Sequence, residues 1–169
     1  FTGATQIYQI DPLSLSLESY DLAQMAESQV LALNIDSIQS FELLKETSTV
    51  FRWQKSEDKW KDQAGVEIQP VKIQKYLERW ENVKSSLVLD SENVDQRAVL
   101  ERLLVAPQYL LRVQTLAGLR TYTLSLLTEA VPGVSLGVNQ YYILSTDEKK
   151  SFSFVERIQL NFLDKKIDI

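Results

Sequence analysis

Residues 109–127 read YLLRVQTLAGLRTYTLSLL, and this stretch decides the fold class. Tyr109, Leu111 and Val113 fall on one face of a first strand. Tyr122, Leu124 and Leu126 fall on one face of a second, and Ala117-Gly118 between them supplies the turn. Apolar residues at period two on both sides of a turn signal predict a β-hairpin. A second hairpin is predicted upstream. Ile38 to Lys45 places Phe41 and Leu43 on one face, and Glu46-Thr47-Ser48 is a turn cluster. Thr49 to Lys55 then alternates strictly, with Phe51 and Trp53 inward and Arg52 and Gln54 outward.

Working outward, Pro70 opens an amphipathic helix whose stripe is Ile73, Tyr76, Leu77, Trp80, Val83 and Leu87. Glu92 to Leu104 is a second helix, capped by Asp90 or Ser91 and ended by Pro107. Thr5 to Ile10 reads as a strand, and Asp21 opens a short helix over Leu22, Met25, Ala26 and Val30. Val138 to Ser145 reads as a strand after the loop Glu129 to Gly137. Tyr141 through Leu144 are apolar on both faces, which suits a central position. Asp147 to Lys150 is a charged turn. Ser153 with Glu156 three residues on forms a capping box, which predicts a C-terminal helix with Val155, Ile158 and Phe162 inward.

The predicted order is strand, helix, hairpin, helix, helix, hairpin, strand, helix. Such helices are too short to be stable alone, so packing them on one face of a mainly antiparallel sheet is expected, an α+β fold. No linker rich in Pro, Gly or Ser interrupts the 169 residues. One domain over 1–169 is the expectation, with a division into two lobes near Ser91 as the alternative. An internal echo links the Leu22 helix running into Ile35-Asp36 with the Val155 helix running into Ile167-Asp168.

The composition excludes several chemistries. The chain has no His and no Cys. It therefore lacks an imidazole base, a thiolate nucleophile, a disulfide, and the usual zinc and iron–sulfur ligands. The five glycines form no phosphate-binding loop. Net charge is −5 and pI about 4.9, with acids interspersed among the bases, so neither nucleic acid nor an anionic membrane surface is an expected partner. No apolar run approaches the roughly 20 residues that span a bilayer, so direct membrane insertion by this segment is not expected. Phe1 is not an initiator Met, and any signal or anchor segment is expected upstream of it. No catalytic, cofactor-binding or metal-binding residue is nominated.

Three passages together resemble one known family. They are the hairpin Ile38 to Trp60 with the helix Val71 to Val83, then Ala106-Pro107-Gln108-Tyr109-Leu110-Leu111-Arg112-Val113 running through Gly118 into Tyr122-Thr123-Leu124, and Tyr141-Tyr142-Ile143-Leu144 leading into Leu163-Asp164-Lys165-Lys166. The layout is similar to a bacterial family of membrane-anchored proteins, domain of unknown function four-three-four-zero. It departs from that pattern at Leu127-Thr128-Glu129, where members often place a Gly. The resemblance implies an N-terminal membrane helix with the domain outside the cytoplasm, and for some members an association with a gliding-type ABC transporter. It implies no catalytic residue.

The candidate interaction surface is Trp60 with Asp58, Lys59, Lys61, Arg52 and Tyr141. Trp60 sits among charges, and an exposed aromatic in a polar rim is the usual form of a docking hot spot; the alternative is that Trp60 folds back over the Trp80 helix as core. Trp53 and Trp80 fit the core stripes instead. Thr5 to Ile10 and Thr49 to Lys55 are the expected outer strands, where Lys45, Arg52 and Lys55 would blunt the edges. The expected function is a non-enzymatic protein-interaction or scaffold domain. A glycan-binding module using Trp60 and Tyr141 is the alternative. A carboxylate-based hydrolase using Glu57, Asp58 and Asp62 comes third.

Overall fold

The computed structural model of the chain describes residues 30–31, 33–90, 92–146 and 151–164. The expected strand at Thr5 to Ile10, the helix opened by Asp21, the turn Asp147 to Lys150, the pair Lys165-Lys166 and the internal echo all involve residues outside these ranges.

The alternation at 109–127 forms β6 (Tyr109–Thr115) and β7 (Gly118–Leu126), antiparallel, with Tyr109 opposite Leu124 and Leu111 opposite Tyr122. The upstream hairpin forms β1 (Ile38–Lys45) and β2 (Ser48–Ser56), with Phe41 opposite Trp53 and Leu43 opposite Phe51. Further strands are β3 (Lys59–Asp62), β4 (Glu67–Ile68), β5 (Leu87–Asp90), β8 (Tyr141–Thr146) and β9 (Ser151–Glu156). All pair antiparallel, and among the described residues they form one nine-stranded sheet of order β4-β3-β2-β1-β6-β7-β8-β9-β5. With helices α1 (Pro70–Glu81) and α2 (Val94–Leu104), the fold is α+β.

Several sequence expectations are corrected. First, 153–162 is not a helix: residues 151–156 are strand β9, followed by a 3-10 turn (Arg157–Leu160). Phe152 and Phe154 alternate onto one face and Val155 onto the other, and all three are buried. Pairing with β8 on one side and β5 on the other outweighs the local capping signal of Ser153 and Glu156. Second, Leu87 does not extend the α1 stripe. The Asn82 backbone N–H and side-chain Nδ2 both donate to the Glu78 carbonyl and close the helix, and Leu87 then opens β5.

Third, β2 is not an outer strand. It lies between β1 and β3, and among the described residues the sheet ends at β4 and β5. Fourth, the helices do not share one face. Ile73, Tyr76, Leu77 and Trp80 of α1 pack with Phe41, Phe51, Trp53, Leu111 and Leu124 on the first face. Leu100 of α2 packs with Tyr141, Ile143, Phe152 and Phe154 on the second. Strands β8 and β9 are apolar on both faces and need cover on both sides. The cap of α2 also shifts from Asp90 or Ser91 to Asn93, whose Oδ1 accepts from the N–H groups of Asp95 (3.0 Å) and Gln96 (3.2 Å).

Trp60 belongs to the first-face core. In β3 it opposes Ile68 and Lys55, and it is 7% exposed. Trp60→Ala should therefore cost about 3–5 kcal/mol. The melting temperature would fall by roughly 10 °C or more, read by circular dichroism. The turn joining β2 to β3 places Glu57 (φ 52°) and Asp58 (φ 60°) both in the left-handed region, where an L side chain is strained. Asp58→Gly should stabilise the protein by roughly 0.5–1 kcal/mol in urea unfolding, because a two-residue hairpin loop of this geometry favours Gly.

Candidate functional site

Where the candidate residues lie follows from strand alternation. On β2 the side chains that oppose Phe51 and Trp53 are Arg52 and Gln54, and these face away from α1. Register places Glu42 of β1 directly between Arg52 and Arg112 of β6. Arg52 donates to Glu42 Oε1 through Nε (2.9 Å) and Nη2, and Arg112 Nη1 donates to Glu42 Oε2 (3.3 Å). The two guanidinium groups leave the carboxylate only 6% exposed while remaining accessible themselves. A carboxylate buried this far persists because both oxygens are paired. Lys61 lies on the same face, opposite Gln54 and Glu67, and Lys59 donates to Glu67 Oε2 (2.9 Å).

The outer part of the second face, from β4 to β6, thus groups Arg52, Arg112, Lys59 and Lys61 with Glu42 and Glu67. Four cations stand against two carboxylates on a chain whose net charge is −5. Among the described residues neither helix packs over this part, since α2 covers the β8, β9 and β5 end. Of the sequence-nominated residues, Arg52, Lys59 and Lys61 share this part of the face. The two aromatics do not: Trp60 points to the opposite face, and Tyr141 is buried against Leu100 and Ile143. Asp58 stands fully exposed at the β2–β3 turn, with Lys55 Nζ 3.8 Å away. Arg112 and Glu42 lie on the same face and were legible as the polar positions of β6 and β1, but only register shows them with Arg52 as one unit.

The carboxylates offered for hydrolysis do not form a facing pair. Asp62 Oδ1 accepts from the backbone N–H groups of Ala64 (2.9 Å) and Val66 (2.8 Å) and shapes the β3–β4 turn. Glu57 and Asp58 occupy the neighbouring β2–β3 turn.

A second feature lies where β8 begins and β9 ends. A cavity of about 520 Å³ is lined by Asn139, Gln140, Tyr142, Arg157, Asn161 and Asp164 among others. Arg157 donates from its backbone N to the Gln140 carbonyl (2.8 Å) and from Nη1 to Gln140 Oε1 (2.6 Å). Asp164 Oδ1 accepts from Lys45 Nζ (2.8 Å) and from the Tyr109 hydroxyl. The Lys45 ammonium sits 5.5 Å from the centre of the Tyr109 ring. This cluster ties the segment after β9 to β1 and β6.

The cluster sets a pH dependence. The hydrogen bonds from Lys45 and Tyr109 hold the Asp164 carboxyl below its ordinary range. The bond to Asp164 raises the Lys45 ammonium. Burial, then the bond to Asp164, pushes the Tyr109 hydroxyl up to about 12. A depressed carboxyl contributes stability above its unfolded value, lost as pH falls through the folded one; the two raised groups contribute below theirs, lost as pH rises. Stability should be flat between roughly pH 5 and 9, falling on either side. Asp164→Asn should flatten the acid limb in urea midpoints measured against pH. Tyr109→Phe keeps the ring packing and should cost about 1 kcal/mol at neutral pH.

No family model, no curated protein and no solved structure matches the chain.

Proposed function

We propose that this chain is a non-enzymatic docking domain whose partner is an acidic protein segment seated on the open face of β3, β2, β1 and β6. The observation that supports this reading most is the Arg52–Glu42–Arg112 ladder. Glu42 holds both guanidinium groups in place, so their remaining donors face outward with little conformational freedom left to lose on binding. Lys59 and Lys61 extend the positive strip toward the β4 edge. A basic face on an otherwise acidic protein favours an acidic partner and disfavours self-association through the remaining surface. The family resemblance supports placing the domain outside the cytoplasm as part of a membrane-anchored protein, with components of a membrane complex as partners. Among the described residues no helix is long and apolar enough to cross a membrane.

The test is binding of a Glu- and Asp-rich peptide to the purified chain, by calorimetry at low and high salt. Binding is expected at about 50 mM salt and should weaken at least tenfold near 500 mM, as screening requires. Lys59→Ser with Lys61→Ser should weaken it about tenfold without lowering the melting temperature, since both side chains are outside the core. Absence of binding at low salt, or binding indifferent to the double substitution, would overturn the docking reading.

A further inference from the structure

The cavity where β8 begins and β9 ends is separate from the basic face, and its chemistry selects a different ligand. Its polar lining mixes donors and acceptors almost evenly. Among the described residues the Asn139 and Asn161 side-chain amides have no hydrogen-bond partner. Each offers an NH₂ donor and a carbonyl acceptor. Arg157 adds further donors, oriented by its bonds to Gln140. Both bonds received by Asp164 fall on Oδ1, which leaves Oδ2 as an acceptor. Ile158 and Leu160 supply an apolar wall beside these groups.

Charge narrows the class. The cavity wall carries one guanidinium, Arg157, and the Asp164 carboxylate, which is paired with Lys45. An anion would meet the Asp164 carboxylate, and a cation would meet the Arg157 guanidinium. A ligand whose every polar group both donates and accepts fits best, and hydroxyl groups have that property. The volume of about 520 Å³ lies within the range of small-molecule sites. We propose that this cavity binds a neutral saccharide of one or two rings. Its ring hydroxyls would meet the Asn139, Asn161 and Arg157 side chains, and its C–H face would lie against Ile158.

The experiment follows the side-chain NH₂ signals of Asn139, Gln140 and Asn161 by ¹⁵N–¹H NMR. The probes are glucose, galactose, mannose and N-acetylglucosamine, then maltose and cellobiose. At least one should give saturable shifts with Kd of about 1 mM or tighter. Asn161→Ala and Arg157→Ala should each weaken that sugar at least tenfold, while Lys59→Ser with Lys61→Ser leaves it unchanged, so this result is independent of the docking face. The proposal is overturned if no probe saturates below about 50 mM. Shifts that survive both cavity substitutions, or tighter binding of glucuronate than of glucose, overturn it equally.

Discussion

The aromatic contact made by Tyr76 holds the architecture together. Its ring meets Phe41, Phe51 and Trp53 edge-on at 5.2–5.9 Å, and Phe162 from the other side at 5.7 Å. One side chain thus joins β1, β2, α1 and the segment after β9. Edge-to-face pairs contribute beyond the area they bury, and here four of them converge. The same layer leaves Trp53 Nε1, Tyr76 Oη and Trp80 Nε1 buried without a hydrogen-bond partner among the described residues. The hydrophobic gain of these large rings is what offsets that polar cost. With α1 fixed on the first face, the second face must satisfy its own demands.

Those demands differ along the sheet. At β8 and β9 the second face is apolar, with Ile143, Phe152 and Phe154, and α2 and the loop bearing Val131 and Val134 cover it. At β2, β1 and β6 the same face presents Arg52, Glu42 and Arg112 in register, and among the described residues neither helix covers it. A charged row at the centre of a strand group resists burial by an apolar helix, because each guanidinium removed from water would cost several kcal/mol. The change from Phe154 to Arg52 across one sheet face therefore sets which part of that face stays open to solvent.

Much of this was legible from residue pattern. The alternation of Phe51 with Trp53, the stripe Ile73-Tyr76-Leu77-Trp80 and the two-sided apolar run Tyr141–Leu144 each point to one structure, and each is found. Residues 153–156 satisfy two patterns at once, since Ser153 and Glu156 form a capping box while Phe152 and Phe154 keep period two. Only the presence of β5 and β8 as neighbours decides between them. Strand β5 itself spans four residues, too few for a period to show. Trp60 was ambiguous for a similar reason. In the four-residue β3 every neighbour is charged, and the inward side is fixed by the register that sets Trp60 beside Ile68.

The cavity was illegible for a deeper reason. Its donors have no spacing in sequence: Asn139 and Gln140 precede β8, whereas Arg157, Asn161 and Asp164 follow β9. Antiparallel pairing of Tyr141 with Glu156 brings those two ends together. The bond between Lys45 and Asp164, 119 residues apart, then fixes the far wall. The wall and the core are consequently coupled, because Phe162 against Tyr76 and Asp164 against Lys45 lie two residues apart on one short segment. A ligand that engages Asp164 would act on the same segment that seals the first face. Occupancy of the cavity and stability of the fold should thus share one free energy, as binding to the folded state alone requires.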